Sequence, residues 1–393
     1  MPLKILFVTP YVPSIVRIRP FAFIRELASL GHRITMVCLV QPAWENTYLS
    51  ELTPFCEAIY PVYITGVSPY VSTLASIPMR MPLSVAFCHS KAFNHLVQNL
   101  VSKNKYDVIH TEFVRAAPAT MNIQGVPKVF DAVDSLTLAY QRSLHAVHVP
   151  PSQRLVSLVE WVKMRKYEPW ILQHYDKTII SSPVDLTKLS SLDHSSEIIP
   201  NGVDFDYFSN QMRCPVDETI VFLGKMSYYV NVASVLWFYR EVFPRIQQQH
   251  PNTHFLIVGR NPVPAINKLT IDPAVSVTGT VPDVRPYLAK ASVAICPMVS
   301  GSGIQNKLME AMAMGIPCVS TSIACSALNT IPGQDVLVAD TAQDFASAVC
   351  SILEQPDLNK ALSENGRQYV EHFHDWKVIG NSLNQIYREL VHS

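Results

Sequence analysis

The chain has 393 residues, 48% of them hydrophobic and 16% charged, and its 31 basic and 31 acidic residues give a formal net charge of zero. That length and apolar share allow large buried cores and exclude a disordered chain. The balanced charge excludes the basic excess of a nucleic-acid binder, so an anionic ligand has to be held locally.

In chain order, Lys4–Thr9 opens as a buried strand with no signal-peptide h-region or cleavage site before it. No apolar run reaches the roughly 18 residues that span a bilayer. These features predict a cytoplasmic protein with at most peripheral contact to the inner face of a membrane. A helix over 21–30 closes at Gly31, and Arg33–Val40 is the next strand. Short strand-like runs follow at 108–110, 128–130 and 178–181, with a long helical stretch over 151–174. The second half predicts strands at Thr219–Leu223, His254–Val258, 275–278, Val293–Cys296, 318–321 and 336–338, mostly separated by helices. Continuous apolar strands alternating with helices mean parallel sheets covered on both faces, an α/β architecture. We expect two Rossmann-like domains, 1–197 and 198–374, with the amphipathic helix of 375–393 packing back on the first.

The eight cysteines form no C-x-x-C pair and read as reduced, buried thiols, with no zinc site. Glycine is scarce, 13 against 29 prolines. Gly224, Gly259 and Gly279 each end a predicted strand, and Gly301 and Gly303 follow another. Ligands of open parallel sheets bind outside the carboxyl ends of the strands, where glycine lets backbone approach them. Strand ends also need turns, which is the plainer reading of any one glycine. Neither G-x-G-x-x-G after the first strand nor G-x-x-x-x-G-K-[ST] is present, which argues against a dinucleotide cofactor and a P-loop.

The Gly301-Ser302-Gly303 turn feeds a run of good helix formers stopped by Gly315 and Pro317. Free N–H groups at such a helix start form an anion site. Lys307, near the first turn, is disfavoured by the helix dipole unless a bound pyrophosphate reverses the sign. Glu310, three residues on, shares its face, and a carboxylate suits a ribose diol. The alternative is a surface Lys–Glu pair.

In these residues the sequence resembles the family 4 retaining glycosyltransferases of the GT-B fold. Four pieces carry the resemblance: Ile199-Pro200-Asn201-Gly202-Val203-Asp204, a domain-joining turn; Phe222-Leu223-Gly224-Lys225-Met226, a phosphate segment; Gly279-Thr280-Val281-Pro282-Asp283-Val284, a base-contacting loop; and Lys307 to Gly315, a donor-site helix. The resemblance implies two Rossmann-like domains whose parallel sheets face across an interdomain cleft. The donor, a nucleotide-diphosphate sugar with uridine as the base, would sit on the second domain, and an acceptor (glycan, lipid-linked sugar or small molecule) on the first. Glu310 would hold ribose, Lys225 and Lys307 the diphosphate together with backbone near Gly303, and backbone around Val281 the base. Gly224, Gly259, Arg260, Ser302 and Ile304 complete the implied donor set. Glu112, Lys225 and Lys307 are the implied catalytic residues, with Tyr11, Arg17 and Glu112 on the acceptor side. No metal and no cofactor beyond the nucleotide sugar is implied.

Four departures stand out, one being the absence of a family histidine near the reacting carbon. Ser302 occupies the place of a sugar-contacting glutamate, Val230 that of a basic residue, and Arg17 and Arg19 lie where the first loop usually has glycines. The two arginines face a phosphate or form a solvated helix start. A GT-B sugar-nucleotide epimerase and a non-catalytic nucleotide-sugar-binding subunit are the alternatives to a transferase.

Several side chains stay open on the sequence alone. Glu112 fits a base, a hydroxyl acceptor or an ion-pair partner, and His110 fits a structural role. Asp131 and Asp134 suit acid–base work or helix capping, and Asp283 caps the helix after it. The basic, aromatic stretch 155–170 can lie on a membrane but more commonly packs on its own core.

Overall fold

Strand alternation decides how each sheet is buried. The computed structural model describes residues 1–41, 43–145, 151–189, 196–216, 218–300 and 303–392. In strand β1 (Lys4–Thr9), Ile5 and Phe7 enter one core cluster while Leu6 and Val8 enter another, so both faces are covered. β1 belongs to a seven-stranded sheet with β2 (Arg33–Val40), β3 (Ala58–Tyr63), β4 (Val108–Glu112), β5 (Lys128–Val133), β6 (Lys177–Ile180) and β7 (Ser196–Ile198). The order is β3-β2-β1-β4-β5-β6-β7 and every pair is parallel. A second sheet contains β8 (Thr219–Leu223), β9 (His254–Val258), β10 (Val275–Val277), β11 (Val293–Cys296), β12 (Cys318–Ser320) and β13 (Leu337–Val338), in the order β10-β9-β8-β11-β12-β13 and again all parallel.

The chain divides into one unit of Met1–Pro200 with Trp376–Ser393 and another of Asn201–Asp375. In the first, the helix Trp376–His392 buries Trp376, Ile379, Leu383, Ile386 and Tyr387 at helical spacing. This stripe joins the cluster that holds Ile5, Phe7 and Phe23, and the Trp376 ring meets Phe23 edge-on at 5.7 Å. In the second, β8 sends Ile220 and Phe222 to one cluster and Val221 to the other.

Several elements differ from their sequence expectation. The helix Ile18–Ser29 starts before residue 21, because Pro20 fits a first turn where no N–H bond is needed. Strand β4 runs on to Glu112 and β5 to Val133, placing their acidic residues inside the sheet rather than after it. β3 and β7 are additional strands: β3 is apolar but contains Pro61, β7 is three residues long, and both are only partly buried apart from their exposed residues. Cys214 is exposed and Cys56 half-buried, unlike the six buried cysteines, and all eight are free thiols.

The stretch 155–170 lies within the helix Pro151–Leu172, whose inward face carries Ser157, Glu160, Met164, Tyr167, Glu168 and Ile171. Its buried carboxylates cap other helices. Glu160 accepts from the N–H groups of Leu83 (3.0 Å) and Ser84 (2.7 Å), and Glu168 from those of Leu136 (2.7 Å) and Thr137 (3.1 Å). No helix among the described residues is long and apolar enough to cross a membrane.

Candidate functional site

In each sheet the strand order reverses at one place, between β1 and β4 in the first and between β8 and β11 in the second. A crevice opens beyond the carboxyl ends of the two strands at such a switch point. The residues there are Tyr11 and Glu112 in the first unit, and Gly224-Lys225 with the segment from Gly303 in the second.

In the second unit the loops after β8 and β9 are tied together. The N–H of Gly224 donates to the Val258 carbonyl (3.0 Å) and that of Met226 to the Arg260 carbonyl (2.9 Å). A Cβ on Gly259, which has φ +149°, would sit 1.7 Å from the Gly224 carbonyl oxygen. One on Gly224 would sit 2.7 Å from Asn231 Nδ2. These two glycines are therefore required by the protein's own packing, a more specific reason than room for a ligand. The ammonium of Lys225 and the guanidinium of Arg260 emerge from this knot exposed, with no hydrogen-bond or ion-pair partner among the described residues.

The helix Asn306–Ala313 begins at Gln305 without a side-chain cap and without an acidic residue in its first turn. The Leu308 N–H donates to the Gln305 carbonyl (2.9 Å), and the N–H groups of Asn306 and Lys307 before it keep their capacity for an anion. Lys307 sits in that first turn, half-buried. Its Nζ donates to Asn231 Oδ1 (2.9 Å) and Gln305 Oε1 (3.2 Å), approaches Met298 Sδ at 3.6 Å, and lies 5.2 Å from the centre of the Phe222 ring. All these partners are neutral. No carboxylate lies within salt-bridge distance among the described residues, so the surface Lys–Glu pair is not what forms. Burial pulls the Lys307 ammonium below its usual range, against the opposing pull of Cys296 and Glu310.

Glu310 is half-buried on the same helix, and its carboxylate has no hydrogen-bond partner among the described residues. Burial pushes it up to about 7, with Lys307 pulling the other way. Ile304 and Val281 are partly buried and pack against the core cluster of this unit, and Gly303 (φ +72°) makes the turn into the helix. Gly301 and Ser302 lie outside the described residues. Asp283 accepts from the Arg285 N–H (2.9 Å) at the start of the next helix and pairs with the Arg285 side chain at 2.8 Å. Among the described residues no group of three or more His, Cys, Asp or Glu side chains is arranged to hold a metal ion.

In the first unit the Tyr11 hydroxyl donates to Glu112 Oε1 at 2.5 Å, while Glu112 Oε2 is buried without a partner. Burial, then repulsion from Asp131, pushes the Glu112 carboxyl up to about 8. Phe113, directly after it, has φ +66°, and Val133 at the end of β5 has φ +63°. A β-branched residue in that region is strained, and such strain collects at functional sites.

The two arginines of the first loop both have acidic partners within the protein. Arg19 is buried and grips Asp131 with Nε (2.8 Å) and a terminal nitrogen (3.1 Å), and it donates to the carbonyls of Ile199 (2.9 Å) and Pro200 (3.1 Å). Arg17 pairs with Glu45 at 2.7 Å and lies over the Tyr11 ring at 4.1 Å. Asp131 is thus an ion-pair partner, and Asp134 accepts from the Ser181 hydroxyl at 2.9 Å. His110 is buried, bonded through Nδ1 to the Tyr387 hydroxyl (2.7 Å) and stacked on Phe7 at 4.1 Å. Burial, then Arg19, holds it down at about 3, so it stays neutral.

Asn231 escapes a reading of the sequence, which looks to the neighbouring Val230 for a basic residue; Val230 is buried in the core. The available signal is one amide in the otherwise apolar run Val230-Asn231-Val232-Ala233.

Residues 217–355 match the family model described as "Glycosyl transferases group 1". That stretch lies within the second unit. Over 235 residues the chain is 23% identical to a phosphatidyl-myo-inositol mannosyltransferase of Mycobacterium leprae, an alignment covering 57% of this chain and 62% of that one. Its fold is similar to that of sucrose-phosphate synthase from Thermosynechococcus elongatus, with TM-score 0.70 and 17% identity over 99% of both chains. It is also similar to Anabaena HepE in complex with UDP and glucose, with TM-score 0.65, 14% identity, and 98% of this chain and 99% of that one covered. The architecture is that of the GT-B fold.

Proposed function

We propose that this glycosyltransferase moves a sugar from a UDP-sugar to an acceptor with retention of anomeric configuration and without a metal. The observation that carries the donor assignment is the Lys307 ammonium, half-buried at the β8/β11 switch point and held, among the described residues, only by neutral groups. A buried charge without a counter-ion is costly, and a diphosphate entering beside the uncapped helix start would supply the missing charge. Lys225 and Arg260 add exposed cations from the neighbouring strand ends. In the transition state the same groups would stabilise charge developing on the leaving diphosphate. The unsatisfied Glu310 carboxylate is available to a ribose diol. The UDP present in the related HepE structure supports uridine as the base. On the acceptor side, the raised pKa and free Oε2 of Glu112 suit it to accept a proton from an attacking hydroxyl.

A thermal-shift screen of nucleotides and nucleotide sugars tests the reading, because a ligand that binds the folded state raises the melting temperature. UDP and one or more UDP-sugars should stabilise the protein in the presence of EDTA. With the responding donor, NMR of the product should show the donor's anomeric configuration. No shift with any nucleoside diphosphate, a strict divalent-metal requirement, or an inverted product would each refute the corresponding part.

A further inference from the structure

A cavity of about 320 Å³ opens at the carboxyl end of β3, the edge strand of the first sheet. Tyr63, the last residue of β3, and Thr65 form one wall, and Ser68 and Ser72 of the helix Ser68–Ser76 form another. His89, Ser90 and Lys91, leading into the helix Lys91–Lys103, close it. Cys88, just before this last wall, accepts through Sγ from the Gln41 amide at 3.1 Å, and Gln41 follows β2 directly. The cavity therefore lies on the same edge of the sheet as Tyr11 and Glu112, where ligands of parallel sheets bind.

Its chemistry is one-sided. Among the described residues no acidic side chain lines it. Lys91 is exposed and His89 half-buried, and neither side chain has a hydrogen-bond or ion-pair partner among the described residues. The hydroxyls of Thr65, Ser68 and Ser72 are also without partners there. That of Ser90 accepts from the Phe93 N–H at 3.3 Å and keeps its own proton to donate. Both bordering helices start at the cavity with no acidic residue in the first turn, so their positive ends add to the field. An exposed lysine by itself needs no partner. A lysine, an imidazole and four Ser and Thr hydroxyls around one concavity, with no carboxylate to meet them, make a donor-rich lining suited to an anion that carries hydroxyls of its own.

We propose that this cavity holds the acidic group, carboxylate or phosphate, of an oligosaccharide acceptor whose reacting hydroxyl lies at Glu112. The acceptor role rests on the proposed sugar transfer, whereas anion binding rests on the cavity alone. Sheet geometry sets the length of the ligand. In the order β3-β2-β1-β4 the cavity and Glu112 are three strand positions apart, roughly 14 Å at about 4.8 Å per strand. That exceeds one sugar ring, so the charged unit and the reacting unit are different residues of the acceptor. The exposed ring of Tyr63 gives the charged sugar an apolar face to lie on.

Calorimetric titration of the full chain with trigalacturonate, its uncharged methyl ester and inorganic phosphate tests this without any donor. Trigalacturonate should bind about tenfold or more tightly than the ester, and phosphate should compete with it. Lys91→Glu should abolish the preference for the acid and Lys91→Arg should keep it. Lys91 is exposed, so both variants should melt with the wild type. Phosphate binding without trigalacturonate binding would assign the cavity to a phosphorylated sugar rather than a uronate. No response to either anion, equal binding of acid and ester, or binding unchanged in Lys91→Glu would overturn the proposal. Monomeric galacturonate should bind more weakly than the trisaccharide, and equal affinity of the two would overturn the span to Glu112. A failed UDP screen would leave a positive titration standing as an anion site, and a failed titration would leave the donor assignment untouched.

Discussion

Lys307 Nζ donates to Asn231 Oδ1 at 2.9 Å, joining the first turn of the helix Asn306–Ala313 to that of the helix Tyr229–Trp237. Asn231 in turn donates through Nδ2 to the Lys225 carbonyl at 3.0 Å. One amide thus fixes both the half-buried ammonium and the backbone that carries the exposed Lys225. An amide orients a cation without neutralising it, and the charge is left for a ligand.

Replacing Asn231 with aspartate should separate stability from binding. A carboxylate at this position gives the Lys307 ammonium a counter-ion but removes the Nδ2 donor to the Lys225 carbonyl, so the two effects offset and the melting temperature of the unliganded protein should change by no more than about 2 °C. The same carboxylate competes with a diphosphate, so UDP affinity should fall roughly tenfold, the effect of an opposed charge-assisted hydrogen bond. Calorimetric titration of UDP alongside melting curves checks this. Tighter UDP binding in Asn231→Asp would contradict the role given to Lys307.

Lys225 and Arg260 are exposed and have no side-chain partner among the described residues, which makes them dispensable for folding. Lys225→Ala and Arg260→Ala should each leave the melting temperature within about 1 °C of wild type. Each should weaken UDP about fivefold to thirtyfold and leave uridine, which carries no phosphate, unaffected. An equal loss of uridine affinity would place these side chains elsewhere in the site.

Glu310 titrates where experiments are easily done. Its carboxyl is raised from 4.5 to about 7, so in the empty site it holds a proton below neutrality and loses it above. A ribose diol donates to the ionised form. Uridine affinity should therefore rise about tenfold between about pH 6 and about pH 8 and then level off. Glu310→Gln should flatten the profile and reduce affinity at the alkaline end. A wild-type profile that is already flat would argue against the ribose assignment.

Glu112 should show opposite effects on stability and activity. Its folded-state pKa, about 8, lies above the unfolded value of 4.5. The folded chain therefore holds a proton that the unfolded chain has released across that window, and stability falls as pH rises through it. Glu112→Gln removes this term and can keep the hydrogen bond from Tyr11. The variant should melt about 3 °C or more above wild type near pH 9, with little difference near pH 4. Its transfer rate should fall about a hundredfold or more. Unchanged activity would remove Glu112 from the reaction.

The paired glycines give a structural test. Gly259→Ala forces a Cβ to within 1.7 Å of the Gly224 carbonyl oxygen, whereas nothing lies within 4 Å of a Cβ on Gly279, at φ +68°. The first substitution should cost about 3 kcal/mol or more by overpacking. The second should cost about 1–2 kcal/mol, from the left-handed backbone alone. Denaturant melts of both variants measure the difference, and similar costs would show that the β8–β9 knot yields readily.

Much of the fold is legible in the order of the residues. Runs such as Lys4–Thr9 and His254–Val258 are apolar almost throughout, and only a strand buried on both faces needs that. Lys307 and Glu310 can be placed on one helix face because helical spacing is a local property. Other features depend on contacts between residues far apart in the chain. Tyr11 meets Glu112 across 101 positions and Lys307 meets Asn231 across 76, because the sheet order sets β1 beside β4 and β8 beside β11. Burial is likewise a tertiary property. It raises two carboxyls towards neutrality, and it makes Arg19, readable from the sequence as a phosphate contact or a solvated helix start, the partner of Asp131. Sequence by itself determined which segments are strands and helices and which strand ends carry glycine and charge. Only the tertiary structure decided which charges are already matched, as at Arg17 and Arg19, and which remain unmatched, as at Lys225 and Lys307, because matching a charge takes partners brought together from distant parts of the chain.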